Sequence, residues 1–89
     1  MNRKEAKGFD AVIEGDGSEL DNVAAGFDYV TRLLIQHAQN EIELLRAEGN
    51  REAMIKEQIK MNTIIHTRYI MNLCTLRVTG QEVYDELAE

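Results

Sequence analysis

The chain has 89 residues, which is one domain near the size at which a single core is only marginally stable. Cys74 is the sole cysteine, so an intrachain disulfide is excluded and a reducing compartment fits best. The formal net charge of −6 argues against nucleic acid and against an anionic membrane as partners. The absence of proline and the 29% of charged residues favour long helices.

Residues 1–17 are predicted to form a flexible N-terminal arm, and residues 18–89 a helical domain. The apolar patch from Phe9 to Ile13 alternates only weakly, so we expect a short extended piece or a disordered tail. The stretch lacks the apolar core of a signal peptide, and the protein is therefore expected to be cytoplasmic.

The first long helix is predicted to begin near Ser18, which is suited to capping the amides of the first turn. An apolar stripe then follows in steps of three and four, as in an amphipathic helix. Its members are Leu20, Val23, Phe27, Val30, Leu34, Ala38, Ile42 and Leu45. Gly26 lies within this helix. Simple tolerance of a glycine there is a simpler explanation than a close crossing with another helix.

The connection to the second helix is predicted at Gly49 and Asn50. Gly49 suits the left-handed position that ends a helix, and Asn50 suits the N-cap of the next one. Such a short connection predicts antiparallel neighbours.

The second helix is predicted from about Arg51 to about Arg77. Its β-branched residues leave a strand through Thr63–Met71 as an alternative, but the apolar pattern is longer than an ordinary strand. Thr79 and Glu82 match a capping box, which predicts a short third helix over Gly80–Leu87.

The predicted fold is all-α: an antiparallel helical hairpin of two long helices plus a short C-terminal helix, assembling as a homo-oligomeric bundle. Counting outward from the loop predicts five contacts between the long helices. They pair Leu45 with Met54, Ala38 with Met61, Leu34 with Ile65, Val30 with Tyr69, and Val23 with Leu76. The side chains left for an oligomer interface are Ile59, Ile64, Ile70, Met71 and Leu73.

Polar residues on one edge of the second helix are the candidate ligand-binding residues. No carboxylate occurs from Gln58 to Gln81, a pattern that fits either an anionic ligand site or an interface core that excludes acids. The predicted pocket is lined by Asn62, His66 and Tyr69, with Arg68 of the same chain or of a neighbouring one, and with His37 of the first helix opposite Asn62. The alternative is a polar layer that fixes helix register, as buried Asn does in coiled coils.

Motifs for catalysis, metal or cofactor binding are not found in the sequence. His66 and Cys74 lie about 12 Å apart along one helix, too far to share an ion. There is also no phosphate-binding loop and no nucleophile–base pair. We therefore expect neither enzymatic activity nor a cofactor.

Three functions remain open at the level of sequence. The first is an oligomer that binds a protein with a basic surface, as an inhibitor or adaptor, through exposed acidic residues. Those residues are Glu41, Glu43, Glu48, Glu52, Asp85, Glu86 and Glu89. The second is a binder or sponge that sequesters an anionic small molecule such as a signalling nucleotide. The third is a subunit of a larger structural assembly.

Overall fold

A computed structural model describes residues 1–80 of the chain. These residues form α1 (Arg3–Ile13), α2 (Glu19–Glu48) and α3 (Arg51–Thr79), with no strand among them. The all-α prediction is confirmed, and the strand alternative for residues 63–71 is wrong. The predicted third helix after Gly80 lies outside the described residues. The chain divides into two compact units, Met1–Val30 and the chain from Thr31 onward.

The N-terminal segment is helical, which corrects the expectation of an extended piece. Asn2 caps α1: its side-chain oxygen accepts a hydrogen bond from the Glu5 amide at 2.8 Å. The Glu5 carboxylate accepts one from the Asn2 amide at 2.9 Å, which completes a capping box. The patch at Phe9, Val12 and Ile13 then lies on one face of a helix, where residues three and four apart are neighbours.

Two glycines of the first unit lie at close contacts. A Cβ on Gly26 would lie 2.8 Å from Ile13 Cγ2, so a close helix crossing, rather than tolerance, accounts for this residue. A Cβ on Gly8 would lie 2.7 Å from Tyr29 Cζ. The Tyr29 hydroxyl donates to the Glu5 carbonyl at 3.1 Å, which holds the ring in place over Gly8.

The start of α2 follows the prediction. The Asp21 amide donates to Ser18 Oγ at 3.2 Å, and the Ser18 amide donates to the Asp21 carboxylate at 3.1 Å. Each side chain therefore satisfies a backbone donor that the first turn leaves without a helical partner.

The connection between α2 and α3 is also confirmed. Gly49 has φ 72°, a left-handed conformation, and the Asn50 side chain accepts a hydrogen bond from the Ala53 amide at 3.3 Å. Gly80 has φ 75° and ends α3 in the same conformation. Glycine is favoured at both positions because it adopts positive φ without a Cβ clash.

From Thr31 to residue 80, α2 and α3 contribute different chemistry to the interior. The buried apolar residues of this part are Ala38, Ile42 and Leu45, all on the predicted stripe of α2. The buried residues of α3 are Arg68, Asn72 and Thr75. Helix α3 is thus rotated about its own axis by about 50°, at 100° per residue, relative to the orientation that the predicted contacts with α2 require. Ile65 and Tyr69, which were expected to face α2, are 38% and 45% exposed.

Gly8→Ala is predicted to lower stability by about 1 kcal/mol, although alanine is normally better than glycine inside a helix by about that amount. The new Cβ displaces the Tyr29 ring and breaks its hydrogen bond to Glu5. In a Tyr29→Ala background the same change should be stabilising. Urea unfolding at fixed protein concentration measures both. A gain in the wild-type background would contradict the packing of Tyr29 on Gly8.

Gly49→Ala is predicted to destabilise the protein by about 1–2 kcal/mol, the cost of a left-handed conformation for a residue with a Cβ. No heavy atom lies within 4 Å of the added carbon, so the effect reports backbone strain alone. Gly49→Asn should cost less, because asparagine tolerates this conformation. Equal unfolding midpoints for Gly49→Ala and wild type would argue against the turn.

Candidate interaction surface on α3

A buried polar cluster joins α2 to α3. The side chain of Arg68 is completely buried, and its Nη1 donates a hydrogen bond to Thr31 Oγ1 at 2.5 Å. Asn72 and Thr75 are each 5% exposed, on the same face of α3. The Thr75 hydroxyl donates to the carbonyl oxygens of residues 71 and 72, at 3.1 and 3.0 Å.

This cluster determines which side of α3 faces inward. The hydrogen bond from Arg68 Nη1 to Thr31 is directional and is made at one rotation of α3, whereas Arg68 Nε is buried without a hydrogen-bond partner among residues 1–80. Half-buried Met61 and Ile64 flank the cluster. The exposed apolar residues of α3, such as Ile59, face away from this cluster.

The opposite side of α3 carries a continuous row of exposed residues at spacings of four, three, four, three and four. This row, called the α3 seam below, consists of Ile55, Ile59, Asn62, His66, Tyr69 and Leu73. Its apolar members are 43–60% exposed: Ile59 60%, Tyr69 45%, Ile55 and Leu73 43% each. Alternation of three and four residues is the spacing of a coiled-coil contact surface.

Two further apolar residues border the α3 seam. Ile70 is 49% exposed and Ile65 38% exposed. Isolated exposed hydrophobic residues are normal, but a contiguous row on one helix is typical of an interaction site. The sequence did not predict this row as one surface, because Ile65 and Tyr69 were assigned to the contact between the two long helices.

The predicted ligand-binding residues are not brought together within the described chain. Asn62, His66 and Tyr69 are exposed, and the rings of His66 and Tyr69 stack with centroids 6.3 Å apart at 19°. Arg68 lies about 140° away around the helix axis at 100° per residue, and it has no exposed surface. Arg68 therefore offers no charge to a ligand bound at the exposed residues.

The fifth predicted ligand-binding residue, His37, lies on α2. It borders an open depression of about 260 Å³ whose other lining residues are Leu34, Ala38, Glu41, Glu57 and Lys60. Both signs of charge line this depression, so it has no clear preference for an anion. Ligand binding by His37 stays a prediction.

The predicted interface residues divide between two sides of α3. Ile59, Ile70 and Leu73 are exposed on or beside the α3 seam. Ile64 and Met71 are half-buried, on the side that carries Arg68. The expectation that Ile64 and Met71 lie uncovered with Ile59 and Ile70 is not met, because the rotation of α3 turns them inward.

Charges border the α3 seam at both ends. Near its start, Lys56 Nζ lies 3.6 Å from the Glu52 carboxylate, the i,i+4 pair expected from the sequence. Both side chains are at least 75% exposed, so the pair contributes little to stability. Arg77 follows the far end of the row and is exposed.

Within residues 1–80, no group of three or more His, Cys, Asp or Glu side chains is placed to hold a metal ion. No helix in this part of the chain is both long and apolar enough to cross a membrane. Cys74 is exposed on α3 and carries a free thiol.

The sequence matches no family model and no curated protein, and the fold matches no solved structure. The functional argument therefore rests on the chain's own residues.

Thr31→Val is predicted to destabilise the protein by about 1–3 kcal/mol, because it removes the hydroxyl that accepts from the buried Arg68 guanidinium. Thr67→Val is the matched control: Thr67 is exposed on α3 and its hydroxyl bonds only its own helix. That control should change stability by no more than about 0.5 kcal/mol. Thermal or urea unfolding measures both, and equal effects would contradict a structural role for the buried contact.

Proposed function

We propose that this protein is a non-enzymatic interaction module, which self-associates through α3 and binds a macromolecular partner through its acidic surface, as an inhibitor or adaptor does. The observation that carries the proposal is the exposed α3 seam. A helix whose apolar row faces away from its own chain has a second contact surface to cover.

The small core supports self-association. Among residues 1–80 the buried apolar side chains are Ala24, Ala38, Ile42 and Leu45, two of which are alanine. Covering a half-exposed Ile or Leu contributes about 1 kcal/mol. The exposed apolar residues of α3 together therefore rival the whole stability expected of a domain this small.

The proposed subunit is an antiparallel helical hairpin of α2 and α3. The connection is only Gly49 and Asn50, and Thr31 precedes it by as many residues as Arg68 follows it. Leu45 and Met54 line one shared depression beside the loop. Both contacts fit an antiparallel pair of helices.

The acidic surface supports a partner with a basic surface. Glu41, Glu43 and Glu48 are exposed on α2, and the net charge is −6. Such charges accelerate encounter with a basic partner and weaken with added salt. Self-association through α3 leaves this α2 surface available, so one chain can serve both contacts.

Self-association is tested by light scattering on a sizing column across a dilution series. Wild type is expected to be a dimer or higher oligomer at micromolar concentration, whereas Leu73→Glu places a charge in the seam and should give monomers. Cys74→Glu, the neighbouring exposed residue off the seam, is the matched control and should stay oligomeric. A folded wild-type monomer at high micromolar concentration would contradict self-association through α3.

Partner binding is tested by affinity capture from cell extract at low and high salt. A Glu41→Gln, Glu43→Gln, Glu48→Gln triple variant should lose the captured protein while keeping its oligomeric state. Recovery of the same protein by the triple variant, or of none by wild type at any salt, would count against an acidic docking surface.

A further inference from the structure

We propose that the α3 seam is covered by the α3 seam of a second copy of the chain, with the two helices antiparallel about a two-fold axis. His66 of each copy then faces Asn62 of the other. The inference rests on the self-association part of the proposed function and names the surface, the occupant and the register.

Matching of polar side chains fixes this register. With His66 opposite Asn62 of the second copy, the three-and-four spacing places Ile59 opposite Tyr69 and Ile55 opposite Leu73. The two-fold axis repeats each contact, which gives two central polar layers between apolar ones. An imidazole and a carboxamide each offer a donor and an acceptor, so they satisfy one another.

Sliding one helix by seven residues destroys that match. Asn62 would then face Leu73, and the amide would be buried without a hydrogen-bond partner. Buried polar residues in coiled coils specify register and partner orientation in this way. The polar members of the row are therefore the residues that select one alignment.

Contacts between identical residues disfavour the parallel direction. In the antiparallel register Glu52, one heptad before Ile59, faces Leu76 of the second copy, whereas a parallel pair in register places Glu52 against Glu52. That parallel pair would also place Arg77 beside Arg77 and His66 beside His66, with no carboxylate near either pair, since none occurs from Gln58 to Gln81.

The area available is close to what a specific dimer needs. The row from Ile55 to Leu73 extends about 27 Å at 1.5 Å per residue. Its exposed apolar side chains and their neighbours Ile65 and Ile70 are 38–60% exposed. Two copies would bury on the order of 1,000 Å² from these side chains alone, near the lower bound of about 1,200 Å² for stable interfaces before Asn62 and His66 are added.

Disulfide trapping in the full-length protein tests the arrangement. In a Cys74→Ser background, Ile55→Cys and Leu73→Cys are made as separate variants, then oxidised alone and after mixing and refolding together. The antiparallel register places residue 55 opposite residue 73. Each variant alone should form no disulfide dimer above background, and the mixture should form a mixed disulfide in up to about half of the chains.

The outcomes separate this inference from the proposed function. A mixed disulfide confined to the mixture supports it. Disulfides within each single variant would show a parallel pair and overturn it, while self-association would stand. An oligomer by light scattering with no disulfide in any sample would place the contact on another surface and overturn it too. A monomer at every concentration would overturn both proposals.

Discussion

The contact between Arg68 and Thr31 determines the arrangement of the second unit. Taking a guanidinium out of water costs several kcal/mol, and here the residue is completely buried with Nη1 on the Thr31 hydroxyl and Nε without a hydrogen-bond partner in the described part of the chain. A rotation of α3 that exposed Arg68 would leave this hydrogen bond unmade, and a rotation that buried Tyr69 would turn Arg68 away from α2. Because a hydrogen bond is directional and aliphatic contacts vary smoothly with rotation, this contact defines the rotation of α3 more narrowly than they do.

Burying this polar cluster has a direct cost in apolar burial. The face of α3 that other helices would use for leucine and isoleucine is occupied by Arg68, Asn72 and Thr75, and the side chains with most to gain from burial are on the outside. The hydrophobic effect is proportional to area removed from water, so the chain alone leaves a large part of its stabilisation unused. Its interior supplies specificity of packing, and the exposed row is the apolar area that the proposed self-association would remove from water.

Local structure followed from the sequence wherever one or two residues decide it. Ser18, Gly49 and Asn50 cap or end helices through their own backbone geometry, which does not depend on distant residues. The capping box of Asn2 and Glu5 is an equally local signal, and it marks the start of α1, which was not predicted from the sequence. The rotation of α3 could not be predicted, because apolar residues surround that helix and its sequence pattern does not show that Arg68 takes the inner face. Of the candidate ligand residues, Asn62, His66 and Tyr69 share one exposed edge of α3, His37 lies on α2, and the Arg68 side chain is buried.

Polar residues on both sides of α3 would give a fixed alignment both to its contact with α2 and to its proposed contact with a second copy. On the inner side, Arg68 must meet Thr31; on the outer side, Asn62 and His66 interrupt a row of aliphatic and aromatic residues. An uninterrupted apolar row would adhere at several registers and to many partners, since apolar contact has no direction. An amide and an imidazole four residues apart exclude most of those alignments, because each must find a hydrogen-bond partner once water is removed. The same two residues that weaken the row as a hydrophobic surface would therefore make the proposed contact selective, and selectivity matters most where a short chain with little core is stabilised by such a contact.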